Sequence, residues 1–114
     1  MSIINLIVNY LQYMERNILN DYEFLGKLIV GIGEVSAISG VPTRQIRYWE
    51  EKGIIQSVNE EEGKNRRYNY VNIKKILLIK ELLDDGFSLD GARRKVEQRI
   101  NMIEQSILKL KKGT

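Results

Sequence analysis

The stretch PTRQIRYWEEKG, Pro42–Gly53, decides how this chain is to be read. Two arginines, a tyrosine and a tryptophan fall within its first eight residues, and two glutamates and a lysine follow. Ile46 and Trp49, three apart, form the inward stripe of a helix through Thr43–Lys52, while Arg44, Arg47, Tyr48 and Glu51 fall on other faces. Pro42 suits a helix start, where its missing N–H would have no partner anyway, and Gly53 suits the end. Two readings compete for the polar face. It is either a solvated surface, with the arginines paired to Glu50 or Glu51 along the helix, or a surface for an anionic partner.

Upstream, GEVSAISG reads as a short helix with Val35 and Ile38 facing inward and Gly40 ending it. Two short helices joined by a tight glycine-containing turn are the outline of a helix-turn-helix. Before them, KLIV fits a short strand or turn. Downstream, Val58 and Tyr68–Tyr70 flank the loop-like EEEGKN as two candidate strands of a hairpin that carries Arg66 and Arg67. Asn69 is placed to cap a helix over 70–85 with a stripe of Ile73, Ile76, Leu77 and Leu83, joined by Ile79 or Leu82, and Gly86 to end it. Ser88 starts a further helix through about residue 98, which continues toward the C-terminus.

The two ends of the chain carry narrow apolar stripes. Ile4, Ile7, Leu11, Met14 and Ile18 recur at helical spacing over 3–19, with Asn20 and Asp21 as weak helix formers to end that run. Val96, Ile100, Ile103, Ile107 and Leu110 recur at four, three, four and three. A core of this size does not obviously cover both stripes, so the N-terminal stripe with Ile100, Ile103, Ile107 and Leu110 of the helix over 97–112 is the expected dimerisation surface. An N-terminal helix folded back on its own domain is the alternative, and a small domain gains stability from a dimer interface.

Composition bounds the chemistry. A chain that is 43% hydrophobic and 29% charged is globular rather than disordered. It has no cysteine and no histidine, which excludes a disulfide framework, a Cys/His zinc site, a cysteine nucleophile and a histidine base. GIGEVS has Ser36 where a dinucleotide fingerprint needs glycine, and no convergent carboxylate pair stands out, so no enzyme, catalytic residue, metal or cofactor is expected. The apolar N-terminus has no basic residue before Arg16 and is broken by Asn5, Asn9 and Gln12, so it is read as neither signal peptide nor membrane span. The net charge of +3 is unevenly spread: Lys64, Arg66, Arg67, Lys74, Lys75 and Lys80 occur with no acid among them, after the acidic Glu60, Glu61 and Glu62. A local basic block points to an anionic partner, and a solvated face is the plainer alternative.

The segments IGEVSAISGVPTRQIRYWEEKGII and NRRYNYVNIKKILLIKELLDDGFSLDGARRKV together resemble the MerR family of bacterial transcription regulators, over residues 32–98 and in the family's order. GVPTRQIRYWEEKGII, RRY and DDGFSLDGA are the most specific parts, and RQIRY with the short length is closest to the GlnR/TnrA-like group. The resemblance implies a mainly α fold with a small β-hairpin wing: a winged helix-turn-helix with N- and C-terminal dimerisation helices. The corresponding division is an N-terminal helical extension over 1–27, a DNA-binding domain over 28–98 and a C-terminal helix over 99–114.

It further implies that the helix from Pro42 enters the major groove of double-stranded DNA, with Arg44 and Arg47 taking guanine edges or phosphate. Thr43 and Tyr48 would reach phosphates, and Arg66, Arg67 and Tyr68 would bring the wing to the flanking backbone. Tyr48 and Tyr68 as half-buried structural aromatics is the alternative. The implied function is a cytoplasmic, nucleoid-associated homodimer that regulates transcription from an inverted repeat as a repressor or dual regulator, with RNA polymerase or another regulatory protein as a further candidate partner. An excisionase-like or architectural DNA-binding protein, or a helical protein-interaction module, are the other readings. Three departures stand out. Pro42 replaces the family's usual Ser or Thr, Gly91 replaces a helix former, and Glu60–Glu62 place acid at the wing tip.

Overall fold

The computed structural model describes residues 2–58 and 65–113, apart from the side chains of Ile18, Leu19 and Tyr22. The proposed wing-tip acids Glu60, Glu61 and Glu62, the base Lys64 and the side chain of Ile18 therefore lie outside the described residues. In chain order the elements are α1 (Ile3–Leu25), β1 (Ile29–Gly31), α2 (Ile32–Ser39), α3 (Thr43–Glu51), β2 (Arg67–Asn69), α4 (Tyr70–Asp84) and α5 (Leu89–Lys112). The fold is mainly α with one small antiparallel β element, as the sequence indicates.

The ladder differs from the expected one. β2 pairs antiparallel with β1, with Ile29 opposite Asn69, Val30 opposite Tyr68 and Gly31 opposite Arg67. Val58 contributes one backbone bond, its N–H donating to the Arg67 carbonyl at 2.8 Å, and Tyr70 already belongs to α4. The pairing with β1 sets Tyr68 against Val30, itself packed on the core, and so buries the larger aromatic.

Helices α2 and α3 each end for a local reason. Gly40 takes φ +75° and its N–H donates to the Ser36 carbonyl, which closes α2. At the end of α3, Gly53 also has φ +75°. Its N–H donates to the Glu50 carbonyl and the Ile54 N–H to that of Trp49, a Schellman closure with buried Ile54 as its apolar plug. Asn69 caps α4 by accepting from the Asn72 N–H, and Ser88 caps α5 by accepting from the Gly91 N–H. A Cβ at position 91 would lie 3.1 Å from the Ser88 hydroxyl, so the helix-weakening Gly91 leaves that cap uncrowded. α1 runs through Asn20 and Asp21 to Leu25 rather than stopping before them, because single weak helix formers each cost only about 0.7 kcal/mol. α5 is continuous, so residues 98 and 99 lie within one helix.

Val35, Ile46, Trp49, Ile55, Tyr68, Ile76, Ile79, Ala92 and Val96 form the centre of the core. Ile38, expected inside, is 69% exposed. α2 instead buries Ile32, Val35 and Ser39, since a helix only eight residues long can turn just one narrow face inward. In α4 the most buried side chains are Asn72, Ile76, Leu78 and Ile79, while Ile73, Leu77, Leu82 and Leu83 are half-buried. The terminal stripes also fare differently. Ile4, Ile7, Leu11 and Met14 are exposed along with every other described side chain from Ser2 to Arg16. On α5, Ile107 is only 8% exposed within its own chain, Ile100 packs against the core, Leu110 is half-buried and Ile103 is exposed. Ile107 thus belongs to the interior of its own chain, where α1 packs against α5 beside the Glu23–Lys111 pair at 3.8 Å. No helix among the described residues is long and apolar enough to cross a membrane.

Candidate nucleic-acid interface

The interface is built on α3. Its inner face, Ile46 and Trp49, is buried, and its strongly amphipathic sequence leaves Thr43, Arg44, Gln45, Arg47 and Tyr48 exposed on the other side. The turn before it is held by side-chain hydrogen bonds. The Ser36 hydroxyl donates to the Val41 carbonyl at 2.6 Å, the Val41 N–H donates to the Ser39 hydroxyl at 3.1 Å, and the Val41 side chain is buried. Pro42 is the residue before the helix, and its carbonyl accepts from the N–H groups of Gln45 and Ile46 at 3.0 and 3.1 Å. No side chain caps α3, as expected when proline stands where Ser or Thr would. No side chain therefore covers the N–H groups of Thr43 and Arg44 at its start.

Arg44 and Arg47 make no ion pair among the described residues. Glu50, one of the acids that would hold them along the helix, is engaged elsewhere. It takes Arg66 Nε at 3.4 Å and accepts from the Tyr68 hydroxyl at 2.8 Å. Tyr48 is 45% exposed, with the Lys52 ammonium 5.5 Å from its ring centroid. Beyond Tyr48 and Lys52 the surface dips against the start of α5, where Leu89, Asp90 and Arg93 line it. Arg93 is tied to Asp90 at 3.0 Å, and Lys80 to Asp84 at the same distance.

Arg67 is exposed on β2 and Arg66 is half-buried beside it. Tyr68 does not join them as a surface contact. Its side chain is 0% exposed in the core and its hydroxyl is spent on Glu50. Burial pushes that hydroxyl far above the usual phenol range, and the hydrogen bond and charge of Glu50 add to the shift, against smaller opposing effects of Arg66 and Arg47. Tyr68 is a neutral donor that fastens β2 to α3. The sequence offers Glu50 only as a partner for the arginines of its own helix, and gives no role to Asn72. Asn72 accepts from the Gln56 N–H at 2.8 Å and donates to Asn69 Oδ1 at 2.9 Å, so it holds the exit of α3 to the start of α4. Its place two residues after the α4 start was the only sequence signal.

A helix-turn-helix with an open arginine face, backed by a small β element carrying further arginines, defines a winged helix-turn-helix DNA-binding protein. The family described as MerR HTH family regulatory protein matches residues 31–99. This chain belongs to that family, and it is a DNA-binding transcription regulator rather than an enzyme. It is 26% identical over 84 residues to the transcriptional regulator TnrA of Bacillus subtilis, covering 74% of this chain and 76% of TnrA. It is 33% identical over 73 residues to GlnR of Bacillus anthracis, covering 64% of this chain and 56% of GlnR. The chain thus spans about three quarters of the first relative and little more than half of the second. Among solved structures, a MerR-family regulator from Bacillus cereus aligns with a TM-score of 0.56 at 20% identity, over 75% of this chain and 66% of that one. HiNmlR, a MerR-family regulator lacking the sensor domain and bound to promoter DNA, aligns with a TM-score of 0.51 at 22% identity, over 75% and 70%. These two likenesses concern the fold.

Proposed function

We propose that the chain acts as a homodimer on an inverted-repeat operator, as a repressor or dual regulator, with α3 in the major groove. The observation that carries the reading is the state of the arginine face. Arg44 and Arg47 are exposed, and Glu50, an acid that would neutralise them, is drawn inward by Arg66 and Tyr68. Arg44 and Arg47 take base edges or phosphates, Thr43 and the uncapped first turn of α3 take a phosphate, and Tyr48 donates to another. Arg66 and Arg67 bring the β element to the flanking backbone. Residues 28–98 form the DNA-binding domain, and RNA polymerase or another regulatory protein is the further partner at a promoter.

The dimer forms through α1 and the open part of α5. α1 is 23 residues, about 34 Å long, and an isolated helix with such an open apolar face is marginal in water. Its stripe Ile4, Ile7, Leu11 and Met14 continues toward an apolar groove of about 290 Å³ lined by Leu25, Tyr70, Val71, Ile100 and Ile103. Selection of bound fragments from genomic DNA, followed by footprinting, tests the reading. A protected palindrome near a promoter supports it, and protection without sequence preference refutes it. Removal of residues 1–22 gives a monomer with weak operator binding, and a truncated chain that remains dimeric refutes the dimer.

A further inference from the structure

Glu50 stands where the recognition helix ends, and its carboxylate gathers both ends of the segment between Ser57 and Tyr68. Oε1 accepts from the Tyr68 hydroxyl at 2.8 Å. Oε2 faces Arg66 Nε at 3.4 Å and the Ser57 hydroxyl at 3.5 Å. Ser57 lies where the chain leaves α3, and Arg66 and Tyr68 where it returns. The Glu50 side chain is 18% exposed, so solvent screens these contacts only in part. Ser57 and Arg66 have further contacts of their own, so Glu50 orients rather than solely retains them.

We infer that Glu50 is a positioning residue for DNA recognition: it locks the base of the wing to α3 so that Arg66 and the arginines of α3 meet one duplex in a fixed relation. The inference rests on the reading in which α3 and the wing engage the same DNA. Its physical basis is the cost of assembling two contact surfaces. If they are held together beforehand, the specific complex does not lose ordering entropy on binding. A carboxylate beside a DNA-binding face also repels phosphate, so an acid kept there weakens binding to any duplex. Glu50 thus lowers general affinity and raises discrimination, a combination that a residue serving stability alone does not produce.

Glu50→Gln separates these effects. The amide oxygen still accepts from Tyr68, but the amide nitrogen is a donor and does not accept from Arg66. Two probes are titrated with the full chain: a duplex enriched by selection from a randomised library, and a shuffled duplex of the same composition. The expected result is a fall in the affinity ratio of about tenfold, the scale of one lost charge-assisted hydrogen bond. Affinity for the shuffled duplex rises and its salt dependence steepens. In an Arg66→Ala background, Glu50→Gln lowers the ratio no further, because Glu50 acts through Arg66.

An unchanged ratio in Glu50→Gln overturns the inference, and so does a second full loss on top of Arg66→Ala. Should Glu50→Gln unfold, Tyr68→Phe carries the test, since the ring stays in the core and only the tether to Glu50 is cut. A lower ratio in Tyr68→Phe supports the inference and a wild-type ratio overturns it. Arg47→Ala is the control for the underlying reading. If it loses no affinity for the selected duplex, the α3 reading fails; if it loses affinity while Glu50→Gln keeps its ratio, only the positioning role of Glu50 fails.

Discussion

Asn72→Ala tests whether the exit of α3 is held by the bonds described above. Asn72 is buried on α4, and its side chain makes two hydrogen bonds to other residues: it accepts from the Gln56 N–H at 2.8 Å and donates to Asn69 Oδ1 at 2.9 Å. Alanine removes both. The Gln56 amide loses its acceptor in a partly buried position, which costs about 1–3 kcal/mol. Asn69 Oδ1 keeps the position-72 backbone N–H, now at 3.1 Å, so only a net bond of about 0.5–1.5 kcal/mol is lost there. Alanine is the better helix former by about 0.6 kcal/mol, which offsets part of this. The net cost is about 1–4 kcal/mol, a large share of the 5–15 kcal/mol typical of whole domains. At about 4 °C per kcal/mol the midpoint drops by about 4–16 °C. Urea and thermal unfolding measure the cost, and amide hydrogen exchange localises it. Protection should fall first at Gln56. A cost below about 0.5 kcal/mol, or unchanged exchange at Gln56, refutes the reasoning.

Further outcomes follow from other sites. Arg47→Ala should weaken operator binding by about 1–3 kcal/mol if it reads a base, whereas equal loss on random DNA in a filter or anisotropy titration would assign it to phosphate. Ile38→Gln should change stability by less than about 0.5 kcal/mol, because the side chain is in solvent, whereas Val35→Ala should cost about 1–3 kcal/mol in the same urea titration. The Tyr68 pKa is raised above its unfolded value of 10.0, so the stability it contributes is complete below that pH and is lost as pH rises past it. Unfolding titrations on the alkaline side should show stability falling with pH, and Tyr68→Phe should flatten that slope.

Much of the fold is legible in the sequence because its signals are local. The caps at Asn69 and Ser88, the left-handed glycines at 40, 53 and 86, and the Ile46–Trp49 stripe depend on residues within a few positions of one another. Local backbone geometry is enough to specify them. The arginine face of α3 is legible for the same reason, since burying Ile46 and Trp49 sends Arg44, Arg47 and Tyr48 outward.

Contacts between distant segments were not legible. Tyr68 sits in a basic stretch and reads as a surface aromatic until its pairing with Val30 carries it into the core. Glu50 reads as an intrahelical partner for Arg47 until β2 delivers Arg66 and Tyr68 to it. Ile38 and Ile107 show the same limit in opposite directions, one periodic yet exposed and the other in an expected dimer stripe yet buried by its own chain. The sequence by itself determined which stretches form the helices, the caps that start α4 and α5, the glycines that end α2 and α3, and which α3 side chains face outward. Tertiary structure alone decided which acid leaves the arginines open, because that depends on which charges the packed segments bring within hydrogen-bonding distance.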